Sequence, residues 1–231
     1  CYKKAEIINL SGLTITTGDT TNSKNGGIYS NGKALLNAIP ETSNLIITED
    51  GNVFYNDDGE YLFMAFIGEG VCVLPEKING NAYTVAAYAF YNNKFITSLS
   101  VPTSITGFAA NTFTGTTNLS RIHYLGTVDQ WASMTFGTSA ESGTGSAVPF
   151  YAGKGDLYVN GDELVTSAVI NVEINSYAFA YCGSLMSVTI GSGVTKINNY
   201  AFMYCYKKAE VINLSSLTIA LTDTTYSKNG G

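Results

Sequence analysis

The sequence predicts a mostly β solenoid, in which parallel strands stack coil on coil, short helical or 3₁₀ turns return the chain, and β-hairpins are inserted. Three observations predict it. An apolar template recurs at a fixed interval, turn-forming residues punctuate each copy, and the chain opens and closes on nearly the same segment.

The template is anchored on a small residue followed by Phe. VAAYAFYNN (85–93), FAANTFTGT (108–116), INSYAFAYC (174–182) and INNYAFMYC (197–205) align on that pair. Phe90 to Phe113 is 23 residues, and Phe179 to Phe202 is 23 again. The interval from Phe113 to Phe179 is 66; Phe136 falls 23 after Phe113, which leaves 43 for a coil that carries an insertion. Six, nine and eleven residues after the Phe come Ile96, Leu99 and Val101, then Leu119, Ile122 and Tyr124, then Leu185, Val188 and Ile190. Five residues before it stand Val85, Phe108, Ile174 and Ile197. After Phe202 the apolar set moves by one, to Ala209, Ile212 and Leu214, which reads as a residue inserted at YKK.

A unit this short cannot bury its apolar side alone. Stacked copies can, with strands pairing in parallel at about 4.8 Å per coil. LMSVTI reads as a strand and SYAFAYC as a helical or 3₁₀ return. The chain therefore divides into an irregular, hairpin-containing section (28–82), repeats (83–136), a loop and hairpin insertion (137–166) and further repeats (167–231). GNVFYNDDGEYLFMAF (51–66) alternates around Asp58-Gly59, and LYVNGDELV (157–165) turns on Asn160-Gly161; both are hairpin signals. GTSAESGTGSAVPFYAGKG (137–155) reads as a Gly/Ser-rich surface loop.

The opening CYKKAEIINLSGLTITTGDTTNSKNGG (1–27) and the closing CYKKAEVINLSSLTIALTDTTYSKNGG (205–231) lie 204 residues apart and share 21 of 27 positions. Lys3, Lys4 and Glu6 recur as Lys207, Lys208 and Glu210, residues expected on the surface, where a fold constraint would not preserve them. The expectation is recent duplication: one continuous solenoid, 1–231, cut from a longer tandem array with a 204-residue period.

Composition fits a turn-rich extracellular β protein. Charged residues are 13%, prolines number four and tyrosines sixteen. A hydrophobic content of 45% supports a core rather than disorder. The net charge of −6 argues against a nucleic-acid partner. No apolar run approaches the roughly 18 residues of a membrane span.

LMSVTIGSGVTKINNYAFMYC resembles the BspA-like leucine-rich repeats of bacterial surface proteins in length and in its strand–turn–Ile–AF–Cys order. IHYLGTVDQWASMTF followed by DLYVNGDELVTSAVI is similar to a known interruption of those repeats. The core match covers roughly 83–214. Departures are Phe108 for Ile, Asn93 and Thr116 for Cys, and a coil at 165–179 about three residues short; residues 13–80 match poorly. The resemblance implies an extracellular, cell-surface binding or adhesion module without catalysis.

No paired catalytic carboxylates, phosphate loop or G-x-S-x-G occur, so neither an enzyme nor a cofactor is expected. His123, the one histidine, alternates with inward Ile122 and Tyr124 and should project beside Arg121, either incidentally or as a ligand contact. Ser98, Arg121 and Ser187, and Ser100, His123 and Thr189, form two outward columns on the strand face. Trp131 could stack on a sugar; the resemblance makes it packing for the interrupted coil. Cys182 and Cys205 should sit on adjacent coils, as a disulfide or as buried thiols, and with Cys1 and Cys72 they show no zinc spacing. YNDDGE lacks the alternation of a calcium loop. The partner expected is a protein or a glycan, or further copies of the chain end to end in a fibre or stalk.

Overall fold

The computed structural model describes residues 44–137, 147–150, 155–205 and 210–218. The opening segment with Cys1, and most of the closing segment, lie outside the described residues, and with them the expected equivalence of the two ends.

An antiparallel unit comes first. β1 (Leu45–Ile47), β2 (Asn52–Asp57) and β3 (Glu60–Phe66) form a meander. Its second turn places Asp58 at φ 48° and Gly59 at φ 98°. Positive φ at both central residues marks a type I′ hairpin, which matches strand twist. β3 then pairs in parallel with β5 (Tyr83–Val85), so the hairpin is joined to the coils that follow.

The main sheet is built from β4 (Gly70–Val73), β6 (Ile96–Val101), β8 (Arg121–Tyr124), β10 (Asp156–Val159) and β11 (Glu163–Leu164), in the order β11-β10-β8-β6-β4. β4, β6, β8 and β10 are parallel, with Leu99 beside Ile122 and Ile122 beside Leu157. These inward residues are fully buried because alternate side chains on a strand share one face. A second ladder runs where the template has its residue five before Phe. There β7 (Gly107–Phe108) pairs with β9 (Thr135–Phe136), and Ile174 bridges Ile197. The last sheet comprises β12 (Ser167–Ile170), β13 (Ser187–Ile190) and β14 (Glu210–Asn213), all parallel.

The Phe column forms in two stacked pairs. Phe90 lies on Phe113 at 5.2 Å with an interplanar angle of 5°, and Phe179 on Phe202 at 5.4 Å and 8°. Phe202, in the last such turn, is only partly buried.

Five local expectations are corrected. The AF segments are not helical or 3₁₀: successive turns place a left-handed residue two before and two after every column Phe. These are Tyr88 and Asn92, Asn111 and Gly115, Tyr177 and Tyr181, Tyr200 and Tyr204, at φ from 54° to 76°. Positive φ at the third turn position is a type II feature, and it frees backbone N–H groups to pair between coils. Phe90 N–H donates to Thr112 O and Phe179 N–H to Ala201 O, at 2.9 and 2.7 Å.

Phe136 is not the next column residue. It pairs with Phe108 in the second ladder, so its template spacing from Phe113 is fortuitous. The stretch 137–155 is more than a surface loop, because Ala147, Val148 and Phe150 are buried. Phe150 precedes β10 as Phe113 precedes β8. The hairpin expected at Asn160-Gly161 forms, with a type I′ turn (φ 51° and 92°), and its first strand is a member of the main sheet.

At YKK the strand register does not slip, since Val188 pairs with Val211 and Ile190 with Asn213, which keeps the template interval. Backbone bonds hold it: Glu210 N–H donates to Met186 O and Leu214 N–H to Ile190 O. Ile212 therefore faces outward beside Thr189. The two outward columns are likewise not continuous. Ser187 and Thr189 lie in the separate β12–β13–β14 sheet, cut off from Ser98, Ser100, Arg121 and His123 by the β10–β11 hairpin.

Candidate functional site

The outward face of the main sheet carries a cleft. Ser98 pairs with Arg121 and Ser100 with His123 across β6 and β8, because the parallel ladder sets these residues side by side on the pleat away from the core. Next door on β10, Asp156 neighbours Arg121 and Tyr158 neighbours His123. Val71 and Thr97 close one end, and the hairpin tip Gly161–Asp162 closes the other. The cleft is open to solvent and has a volume of about 530 Å³.

His123 is fixed from three sides. Its ring lies on Tyr158 with centroids 4.5 Å apart and planes within 6°. Nδ1 sits 3.3 Å from Gly161 O and 3.3 Å from Asp162 Oδ1. Both neighbours are acceptors, so Nδ1 carries a proton, and in the neutral ring Nε2 is the acceptor. Arg121 is exposed and makes no side-chain hydrogen bond or ion pair among the described residues. Ser98, by contrast, is 8% exposed, and its Oγ also lacks a partner among the described residues. Its row faces outward, and it lines the cleft.

Four residues singled out from the sequence, Ser98, Ser100, Arg121 and His123, thus share one cleft. Trp131 does not join them. It is fully buried, packs edge-on against Tyr124 and Phe136 and tilted against Phe150, and donates from Nε1 to Ala178 O at 2.7 Å. No face of the indole is left for a sugar, and the packing role implied by the resemblance is the one it fills. Its helix, α1 (Val128–Ala132), begins at a capping box in which Thr127 and Gln130 bond reciprocally. Asp162, Gly161 and Tyr158 were missed by sequence reasoning. The signal for them was the strong hairpin turn, placed beside the strand that holds the chain's only arginine and only histidine.

The thiols belong to the scaffold. Cys72, Cys182 and Cys205 are unbridged. Cys205 Sγ donates to Phe179 O at 3.1 Å, and Asn93 and Thr116, at the equivalent place, donate to Phe66 O and Phe90 O. Cys205, Asn93 and Thr116 interchange there because each supplies a donor to the coil before, whereas Cys182 Sγ lies 3.5 Å from Ser184 Oγ. Burial, with Cys182 beside it, pushes the Cys205 thiol up to about 12. Burial likewise raises Cys182 and, beneath the cleft, the Tyr124 phenol. Such thiols are inert at neutral pH. Among the described residues no three His, Cys, Asp or Glu side chains converge as a metal site. Asp57, Asp58 and Glu60 lie along an exposed hairpin turn.

The family model described as "BspA type Leucine rich repeat region" matches residues 76–142 and 166–229, in six copies. Among solved structures, a leucine rich cell surface protein from Faecalibacterium prausnitzii A2-165 is similar at 18% identity and a TM-score of 0.38, over 74% of this chain and 55% of its own. The leucine rich repeat protein of T. pallidum is similar at 22% identity and a TM-score of 0.38, over 72% and 66%. The chain therefore spans between about half and two thirds of those two proteins' resolved chains. No curated protein matches it.

Proposed function

The chain belongs to the BspA-type leucine-rich-repeat family, and on that premise we propose that it is a non-catalytic binding module of the cell exterior, mediating adhesion by holding a protein or glycan on the outward face of its main sheet. Proteins of this family are typically binding scaffolds rather than enzymes. Among the described residues no helix is long and apolar enough to cross a membrane. The observation that carries the reading is the cleft over β6 and β8: a guanidinium and a buried hydroxyl, neither engaged by the described residues, stand on a sheet whose backbone groups are already paired. Polar groups held this way favour a ligand, because their own chain does not satisfy them.

Display of the chain on a non-adherent bacterium tests this. Adhesion to host-cell monolayers should rise, and Arg121→Ala with His123→Ala should reduce it several-fold while leaving display unchanged. Equal adhesion by the variant would place binding elsewhere.

A second reading, a building block of an extracellular fibre or stalk, is favoured by a different observation. β14 is an edge strand among the described residues, and Val211, Ile212 and Leu214 on or beside it are 56%, 44% and 62% exposed. Such an edge is a template for further pairing. If the distance between the two echoed segments is one period, the next period would stack there. Sedimentation of a chain extended to two periods should then show one elongated particle per chain, and Val211→Lys should suppress end-to-end association of the single period.

A further inference from the structure

We infer that the cleft over β6 and β8 is a saccharide subsite that takes a neutral oligosaccharide; the inference rests on the binding-module reading and names its ligand class. Its floor is hydroxyl: Ser98, nine-tenths buried with Oγ unpartnered among the described residues, and Ser100 beside it. Its walls offer both hydrogen-bond polarities. Arg121 supplies donors, Asp162 at the rim supplies acceptors, and His123 Nε2, with Nδ1 committed to Gly161 and Asp162, accepts in the neutral ring. A sugar hydroxyl is at once donor and acceptor, so vicinal hydroxyls satisfy such a mixed lining as no purely anionic or cationic group does.

Charge decides against the alternatives. Arg121 is the one full cation of the lining, set against Asp162 in the cleft and Asp156 as its cross-strand neighbour on β10. With a chain net charge of −6 as background, a phosphate, sulfate or uronate gains no net attraction. A cationic ligand meets the guanidinium.

Shape decides as well. An extended peptide adds to a sheet edge through unpaired backbone groups, whereas β6 and β8 lie inside the sheet with strands on both sides. The imidazole held flat on Tyr158 and the exposed Val71 give apolar surface for the C–H face of a sugar ring. The volume of about 530 Å³ lies within the roughly 300–1,000 Å³ of small-ligand sites.

The test uses the whole 231-residue chain on an array of neutral oligosaccharides (chitotriose, lactose, maltotriose) and acidic ones (3′-sialyllactose, digalacturonate). At least one neutral sugar should bind, and Arg121→Ala and Asp162→Asn should each weaken it about tenfold, as loss of a charged hydrogen bond does. Both side chains are exposed, so the melting temperature should not move; Ser98→Ala, also expected to weaken binding, guards the floor. Preference for the acidic sugars, or affinity that survives both surface substitutions, overturns the proposal. A displayed random-peptide library separates its failure from that of the reading beneath it. Peptides captured by the wild type and lost with Arg121→Ala, with no sugar bound, overturn the saccharide and keep the binding face. Capture of neither overturns both.

Discussion

Residues 174–205 and the stretch from β8 to β12 close a solenoid in two different ways. In the first, like lies on like: Phe179 on Phe202, Tyr177 on Tyr200 and Tyr181 on Tyr204, with ring centroids 5.0–5.4 Å apart. In the second the ladder is broken, and one unique residue fills the gap. Trp131 touches Tyr124, Phe136 and Phe150, and reaches Ala178 in the following coil. Around it, Asn175 N–H donates to Ala132 O and its side chain to Ser133 O, so α1 stands where a regular coil would pair. Regular coils give a flat, self-similar scaffold. The interruption gives asymmetry, and the cleft lies beside it, with the β10–β11 hairpin as one wall. A site on such a solenoid is to be sought where the repeat fails.

If the junction depends on its plug, Trp131→Ala should be the most damaging single change. Large-to-Ala truncation of a fully buried aromatic costs about 3–5 kcal/mol, and here it also orphans Ala178 O. Urea denaturation monitored by tyrosine fluorescence and circular dichroism should show it. A loss below about 1 kcal/mol would mean that the coils on either side are stable without the interruption, and the contrast drawn above would collapse.

The regular region should respond according to position. Phe179, fully buried beneath Phe202, should cost about 3–4 kcal/mol on truncation to Ala. Phe202→Ala should cost about half as much, because that ring is only partly covered. Equal losses would mean that something beyond the described residues seals the column over Phe202.

How much of this was legible in the sequence follows from the range of each signal. The strand triplets, both hairpins and the outward position of Arg121 and His123 rest on period-two alternation and turn residues a few positions apart. The Phe column rests on a spacing repeated twice. Long-range register was not legible: Phe136 has the right spacing but pairs with Phe108, and Val211 keeps a register that its apolar neighbours Ile212 and Leu214 disguise. Burial of Ala147, Val148 and Phe150 was hidden by the Gly and Ser around them. Tyr177 and Tyr200 gave no hint of left-handed backbone, since tyrosine is not a residue that marks it. Half of the cleft was visible, as four residues on β6 and β8, and half was supplied by a hairpin whose position no local pattern states.

The thiol ladder sharpens the comparison through pH. The Cys205 thiol is pushed up to about 12 from an ordinary 9, chiefly by burial. The folded state therefore holds its proton more tightly than the unfolded state. The stability this contributes is complete below pH 9 and is lost as pH rises from about 9 towards 12. Burial raises the Tyr177 phenol too, with the same sign. Cys205→Thr keeps a donor to Phe179 O, as Thr116 does towards Phe90 O, and removes the titration. Its melting temperature at about pH 7 should stay close to the wild type, and its decline above about pH 9 should be shallower. An identical alkaline decline would assign the effect to the other buried thiol, Cys182, and the tyrosines.

The smallest effect discriminates most finely between coils. The left-handed positions hold Tyr88, Asn92, Asn111 and Gly115 in the first coils and only tyrosines in the last two. A left-handed conformation costs an ordinary L-residue about 1–2 kcal/mol, which Asn largely escapes. Stacking of an aromatic pair returns about 0.5–1.5 kcal/mol beyond its burial. In the last coils Tyr177 on Tyr200, at 5.0 Å and 14°, offsets a strain that Asn111 avoids at the equivalent turn position. Tyr200→Asn should therefore be nearly neutral, within about 1 kcal/mol, since lost stacking and relieved strain oppose each other. Tyr200→Ala keeps the strain and loses the ring, and should cost about 1–2 kcal/mol. Chemical denaturation of the two variants side by side measures the difference. Were Asn as costly as Ala, backbone strain would contribute nothing at this turn, and the tyrosines of the last coils would be there for their rings alone.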